Sequence, residues 1–399
     1  MTPRSRPHLP IRPSARIDRA SLRRVPLLLV PFLLLLPTLL AASTALAEPV
    51  EVPFDSPRWT ITGEGWRVEE HLGRQSLFLP QGMAWLDDVE ILDGAIEFDV
   101  AFTPQRGFCG GLFRLQDRGD YEHFYLRPHQ SGMPDANQYT PVFDGVSGWQ
   151  LYHGEGYAAP TSYPYDQWIH VRIVFDGNRA EVFIDSDEPV LFVDELKREP
   201  RAGGVGIDNS LSEAHFSRFR YERIDRPELR EIAPPDRPAP NGAVMGWEVS
   251  SPFEEERLEG RSDLPGDLPA SLEWSTLAAE PTGITNLARL TGTRPGANTV
   301  IARIRVRAAR GVTLPVRFGY SDRVRIYLDG RGLYSGDNGY QSRDYRYLGT
   351  IGLFDVVWLR LEPGEHELAF AVSESFGGWG ILAALPTAAA GEVEILPPQ

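Results

Sequence analysis

The sequence predicts an all-β protein built of two β-sandwich domains, and three observations carry that prediction. Short runs alternate apolar and polar residues with a period of two, as in Ala95–Phe102 (AIEFDVAF) and Trp168–Phe175 (WIHVRIVF). Turn formers punctuate these runs: the 399 residues include 38 Gly and 34 Pro, and Asp-Gly pairs stand at Asp176-Gly177 and Asp329-Gly330. Long helical periodicity is scarce, while a hydrophobic fraction of 42% against 24% charged is that of a folded chain long enough for two domains.

The chain opens on an expected export segment, residues 1–47. Arg4, Arg6, Arg12, Arg16, Arg19, Arg23 and Arg24 precede an uncharged run from Val25 to Ala47. The run ends Ala45-Leu46-Ala47, with small residues at the two positions a signal peptidase reads. Pro26, Pro31 and Pro37 make it a poor transmembrane helix. The run is long enough to span a bilayer, so an uncleaved anchor stays open as the alternative. The expected location is the periplasm, the surface or the exterior of a bacterium.

The whole chain carries a net charge of −15, and removing the segment's seven Arg and one Asp leaves −21. Such a surface repels phosphate backbones, so nucleic acid is not an expected partner. Cys109 is the only cysteine, which excludes an intramolecular disulfide and a thiolate metal cluster. Between Phe108 and Gly110 it reads as a buried small hydrophobe.

Residues 48–225 form the first expected domain. In Ala95–Phe102 the alternation puts Ile96, Phe98, Val100 and Phe102 on one face and Glu97 and Asp99 on the other. A Gly-rich hairpin region is expected around Gly107, Gly110 and Gly111. The strand Gly111–Gln116 should then turn Phe113 and Leu115 inward and Arg114 and Gln116 outward. In Tyr121–Pro128, Phe124 and Leu126 form the core set, and Tyr121, His123, Tyr125 and Arg127 the opposite one. Asp135–His153 (DANQYTPVFDGVSGWQLYH) is a polar and aromatic loop. Residues 226–242 hold five prolines and read as a semi-rigid linker or an extended surface segment. The second domain, 243–399, repeats the strand logic from Val300 to Val372. Pro315 cannot donate a ladder hydrogen bond, so its strand is expected at an edge or at a bulge. The outward arginines at 303, 305, 307, 317, 323 and 325 read as a solvated face paired with acids.

At the level of families, GAIEFDVAF, GLFRLQDRGDYEHFYLRPHQSG, QWIHVRIVFDGNRAEVFID and AGGVGI…AHFSRFRYERI resemble a concanavalin-A-like or laminin-G-like jelly roll. Within that group they are most similar to the bacterial secreted branch that includes 3-keto-disaccharide hydrolase type domains, over roughly residues 50–223. SDRVRIYLDGRGLY, LRLEPGEHELAFAVSE and the GGWG at Gly377–Gly380 resemble a galactose-binding-like β-sandwich, over roughly residues 245–385. The resemblance implies sugar binding or packing against a partner domain, and in some such modules a structural calcium. Acidic turns at Asp117–Asp120 and Asp185–Glu188 offer oxygen ligands, though turn formation is the commoner explanation. No cofactor is otherwise called for.

The resemblance to the jelly-roll superfamily also brings a test. Its laminarinase-type enzymes carry Glu-x-Asp-x-x-Glu on one strand, and here Glu97 and Asp99 are followed by Phe102 where the second catalytic carboxylate belongs. That enzyme class is excluded.

The outward set describes a glycan-facing surface instead. Arg114, Gln116, Tyr121, His123, Tyr125, Arg127 and His129 should share the open face, with Asn137, Gln138, Tyr139, Trp149, Tyr152 and His153 folding over it from the loop. Aromatic rings cover the apolar faces of sugars, and Arg, Asn, Gln and His bond their hydroxyls. A carbohydrate-binding protein is the leading expectation. A hydrolase or lyase of 3-keto-glycoside type using His123, His129 or His153 is the alternative, and a structural or adhesive envelope protein the third. Glu122 should fall on the core side, and Asp135 adds a carboxylate. Asp337, Asn338, Tyr340, Arg343 and Trp379 form a second candidate edge in the second domain.

Overall fold

The computed structural model describes residues 48–398 apart from 231, 234, 295 and 387–390, so the expected export segment lies outside the described residues. The described chain is all-β: four antiparallel sheets and, in place of α-helices, four short 3₁₀ turns. No helix among the described residues is long and apolar enough to cross a membrane.

Two sheets make a jelly-roll sandwich. In the first, neighbouring strands run Leu191–Val193, Arg179–Ile184, Ile169–Asp176, Gly94–Phe102, Ala214–Arg223, Arg74–Leu79 and Arg67–His71, with Val50–Glu51 beside Ala214–Arg223. In the second, they run Val146–Ser147, Asn137–Phe143, Asp120–Leu126, Phe108–Asp117, Gly203–Ser210, Gly82–Ile91 and Trp59–Ile61, with Ala158–Ala159 on Asn137–Phe143. Ile96, Phe98, Val100 and Phe102 pack from the first sheet against Phe113, Phe124 and Leu126 of the second, as the alternation requires. Glu97 and Asp99 face away from this core, where Glu97 pairs with Arg172 and Asp99 with Arg74 and His170.

The expected alternation fails in the strand Phe108–Asp117. The register slips between Phe113 and Asp117, and Arg114 takes a φ of +51°. This bulge turns Leu115 to the outer face beside Leu112 and Trp85, opposite to its expected side, and carries Arg114 to the core side. Gly110 and Gly111 lie within the strand and not in a hairpin. Cys109 is buried, and burial pushes its thiol pKa up.

The second sandwich pairs a sheet of Trp274–Ala278, Gly246–Ser250, Thr299–Ala308, Gly364–Ser373, Arg323–Leu328 and Arg331–Asp337 with one of Thr285–Asn286, Gly380–Ala384, Val312–Ser321 and Asp355–Leu361. Val393–Ile395 adds to Thr299–Ala308. Pro315 sits in a strand with neighbours on both sides, but at its own position only Trp358 is paired with it, because Gly380–Ala384 reaches no further than Arg317. On the side of Gly380–Ala384 no ladder bond is there for its missing N–H to break. The arginine face is paired as expected: Arg303 with Glu248 and Glu367, Arg307 with Glu365 and Glu394, Arg323 with Glu255. Arg317 and Arg325 donate to backbone carbonyls instead.

The described residues of 226–242 run largely extended and are fixed to the first sandwich. The Arg230 N–H donates to Glu181, and Arg237 pairs with Asp194 while its guanidinium stands 4.3 Å from the Tyr157 ring centre.

The two sandwiches meet on the segment Gly148–Tyr152, a peg from the first into the second. Gln150 is fully buried there. Its N–H donates to the Gly377 carbonyl (2.8 Å) and its carbonyl accepts from Ile351 (3.0 Å). Its side-chain Nε2 donates to the Leu348 carbonyl (2.8 Å), and Ser321 Oγ donates to its Oε1 (2.7 Å). Gly349 (φ +76°) and Gly377 (φ +110°) admit this side chain; a Cβ on Gly377 would stand 2.5 Å from Gln150 Cδ. Beside it, Tyr152 donates to Glu280 and accepts from Asn286 Nδ2 (3.2 Å), and Lys197 closes the group with a 2.8 Å ion pair to Glu280.

Candidate functional site

The strand Asp120–Leu126 carries the site. Its alternate side chains Tyr121, His123 and Tyr125 leave the sheet on the side away from the core, and Arg127 and His129 continue the row past the strand end. They floor a cavity of about 520 Å³. Its walls are Arg106 and Phe108 at the start of the adjoining strand, Asp135 and Trp149 from the loops, and Asp208, Ser210 and Leu211 from the next strand over, Gly203–Ser210, and its end. Tyr340, Leu348 and Phe376 close it from the second sandwich. Glu97 and Asp99 lie on the other sheet and take no part.

Two charge-assisted pairs fix the floor. His123 Nε2 stands 2.8 Å from Asp208 Oδ1, so the carboxylate orients the imidazole. Arg127 donates to Asp135 Oδ2 (2.6 Å) and to Tyr125 Oη (3.1 Å), and also bonds Gln138 Oε1. Tyr125 itself donates to Gln138 Oε1 at 2.9 Å. The rings pack against one another, tilted or edge-on: His123 to Tyr125 at 4.9 Å, Tyr121 to His123 at 5.9 Å, Phe108 to Tyr125 at 5.6 Å. Burial, then the Arg127 and Arg106 charges, holds His129 below the usual imidazole range, so it is neutral at pH 7.

Of the residues expected at the site, Tyr121, His123, Tyr125, Arg127, His129, Asp135, Trp149 and Tyr340 line the cavity. The others stand elsewhere, for identifiable reasons. Arg114 is turned away by its bulge and donates to the Leu92 carbonyl (2.7 Å) and to Asp93. Gln116 follows it past the bulge and bonds the Arg114 and Ala202 carbonyls. Asn137 is fully buried, tying the Ala159 carbonyl and Thr161. Gln138 lies behind the floor as the anchor of Tyr125 and Arg127, with its Nε2 on the Trp149 and Tyr152 carbonyls. Tyr139 and Tyr152 are buried, the first in the core of the first sandwich and the second between the sandwiches. His153 stands 3.4 Å from the Ile351 carbonyl, outside the cavity.

The second-domain set divides the same way. Asp337 caps the Gly339 N–H, Asn338 is buried on the Tyr320 carbonyl, and Arg343 pairs with Asp355. Trp379 fills the second core and donates to the Val372 carbonyl.

Glu122 faces the core and is fully buried. Burial pushes its pKa up to about 7, against hydrogen bonds from Tyr139 Oη (2.6 Å) and the Arg198 N–H (3.2 Å). It is sealed from the cavity by its own strand. Among the described residues no three His, Cys, Asp or Glu side chains converge as metal ligands. The acidic turns cap backbone N–H groups instead, Asp117 that of Gly119 and Asp185 that of His170.

Sequence reasoning missed Arg106, Phe108, Asp208, Leu348 and Phe376 among the lining residues. Asp208 was the findable one. It follows Ile207 in a strand whose alternation places it on the face of His123, but the Gly-rich run Gly203–Gly206 weakens that reading.

No family model and no curated protein matches the chain. It is similar to a carbohydrate-binding module from Bacillus subtilis, at 15% identity and a TM-score of 0.33 over 41% of this chain and 95% of that one. It is also similar to a protein with a galectin-like fold from Bacillus subtilis (14%, 0.32, 44% and 94%) and to a beta-glucanase from Bacillus licheniformis (9%, 0.33, 44% and 98%). At such scores the function has to be argued from the cavity itself.

Proposed function

We propose that this is an exported carbohydrate-binding protein whose glycan occupies the cavity over Tyr121, His123 and Tyr125. The observation that carries the reading is the composition of that cavity. Six aromatic rings (Phe108, Tyr121, Tyr125, Trp149, Tyr340 and Phe376) surround two carboxylate-anchored polar groups, His123 and Arg127. Rings give apolar area for the C–H faces of a sugar, and fixed donors and acceptors read its hydroxyls. The volume, about 520 Å³, lies within the ~300–1,000 Å³ usual for pockets that hold compact organic ligands. The resemblance of the two halves to jelly-roll and galactose-binding-like modules points the same way.

The test is a panel of oligo- and polysaccharides presented to the native protein and to Trp149→Ala. Trp149 is half-buried, so its loss should weaken binding while circular dichroism stays native. A well-folded native protein that retains no glycan from the panel would remove the reading.

Glycoside hydrolysis or elimination is a second reading, and one observation favours it: the His123–Asp208 pair is an oriented acid–base group at the floor of the same cavity. Turnover of ordinary or 3-keto glycosides that disappears in His123→Ala supports it. A panel left intact by the native protein rejects it.

A further inference from the structure

We infer that the second sandwich completes the binding site, with Tyr340 and Phe376 joining Trp149 as an outer stacking subsite for a second sugar ring. The inference rests on the carbohydrate reading above and deepens it from a single ring to a chain of at least two.

Three observations support it. The cavity has two chemically different ends. Its floor is polar and belongs wholly to the first sandwich. Its outer wall is a triangle of rings drawn from both: Trp149 to Phe376 at 5.8 Å, Trp149 to Tyr340 at 6.2 Å, and Tyr340 to Phe376 at 6.2 Å, all edge-on or tilted to one another. Rings so arranged leave faces free for a flat apolar partner.

Phe376, moreover, has no role in either core. It is 58% exposed, so its burial stabilises little. Yet its loop is fixed: the Ser375 and Phe376 N–H groups both donate to Asp322 Oδ2, at 2.8 and 2.9 Å, and Asp322 is itself 2% exposed. The next residue, Gly377, is held by Gln150 from the first sandwich. An exposed ring on a rigid backbone is partly preorganised for a ligand, since only its own side-chain rotamers remain to be ordered at binding.

The wall also has a polar edge across the two sandwiches. Arg106 Nη2 donates to Tyr340 Oη (3.1 Å), and its guanidinium stands 5.8 Å from the ring centre. Arg106 is exposed and can turn to a ligand hydroxyl without leaving a buried group unpaired.

The test uses the full chain and titration calorimetry with paired ligands: methyl glycosides of glucose, galactose, mannose and xylose against the matching disaccharides. The native protein should prefer the disaccharide. Phe376→Ala and Tyr340→Ala should each cut disaccharide affinity about threefold to tenfold, the loss of one stacked pair, and lower monosaccharide affinity by a clearly smaller factor. Tyr340→Phe, which keeps the ring, should retain most of the preference. An undiminished disaccharide preference in both alanine variants overturns the subsite and leaves the carbohydrate reading intact. Equal loss for both ligand lengths also overturns it, since that is the mark of a purely structural role. A native protein that binds no saccharide removes the carbohydrate reading and the subsite with it.

Discussion

Truncating Gln150 to alanine should loosen the two sandwiches from each other, and the size of the effect follows from its partners. The change removes the hydrogen bonds to the Leu348 carbonyl and from Ser321 Oγ while leaving both backbone bonds in place. Ser321 is fully buried, so its hydroxyl is left poorly paired, with only a long 3.4 Å bond to Asp322 Oδ1. A buried polar group left unpaired costs about 1–3 kcal/mol, and the lost methylene adds about 0.8 kcal/mol. Water entering the gap offsets part of this, for a net loss of about 2–4 kcal/mol against a typical total of ~5–15 kcal/mol. Urea unfolding followed by tryptophan fluorescence reads it directly. At an m-value of about 3 kcal/mol/M the midpoint should fall by about 1 M, and the transition should broaden or split as the sandwiches uncouple. Gly377→Ala supplies the converse perturbation, because its Cβ would strike the Gln150 side chain. Combined with Gln150→Ala, the clash disappears and only the cost of a Cβ at φ +110° remains, so the two losses should add to less than their sum. A Gln150→Ala midpoint within about 0.2 M of native, or strict additivity with Gly377→Ala, would refute the peg as the coupling element.

Three further outcomes are expected. Burial, and then the neighbouring Asp322, pushes Glu374 up to about 8; a carboxyl raised above its unfolded value contributes stability that is full below about pH 4.5 and lost as pH rises toward 8. Glu374→Gln should therefore flatten the fall in stability across that window by roughly 2–5 kcal/mol, and superimposable pH curves for the two proteins would count against it. Cys109 should resist a thiol reagent in the native protein and react fully in denaturant, because it is buried with its thiol pKa raised; rapid native labelling would contradict the strand packing around it. Asp208→Asn should keep the fold but weaken glycan binding about threefold to tenfold, since His123 loses its charge-assisted partner, and unchanged affinity would mean that His123 is not a contact.

Most of the strand faces were legible because a period of two leaves little freedom once one face is apolar. Ile96, Phe98, Val100 and Phe102, and likewise Phe124 and Leu126, had only one way to face. The floor residues followed as the complement of that core: Tyr121, His123, Tyr125 and, just past the strand end, Arg127. Arg114 and Leu115 were misassigned because a bulge inserts a residue without changing the composition around it, and nothing local in LFRLQD announces the positive φ at Arg114. The segment Asp135–His153, expected as a loop but holding the strands Asn137–Phe143 and Val146–Ser147, was misread for a different reason. Polar and aromatic side chains suit a sugar, but they suit a buried joint between domains just as well, provided each polar atom finds a partner. Gln138, Gln150 and Tyr152 find theirs inside the protein, and only distant residues such as Glu280, Ser321 and Leu348 reveal it.

That joint changes what the second sandwich is for. Had it been tethered only through residues 226–242, its loops would sample many positions and could contribute little to a specific site. The peg removes that freedom: Gln150 fixes Gly377 by one backbone bond, and Trp149, its immediate neighbour, meets Phe376 at 5.8 Å on the cavity side. One short segment therefore joins the sandwiches with one residue and lines the cavity with the next. The Gln150 side chain also holds the carbonyl of Leu348, itself in the cavity wall, and Ser321, whose neighbour Asp322 anchors the Phe376 N–H, so losing that side chain loosens the wall as well. Gln150 touches no ligand in this arrangement, yet Gln150→Ala should lower disaccharide affinity clearly more than monosaccharide affinity, in the same pattern as Phe376→Ala. A variant that loses stability yet keeps its full disaccharide preference would show that Phe376 is held by Asp322 alone.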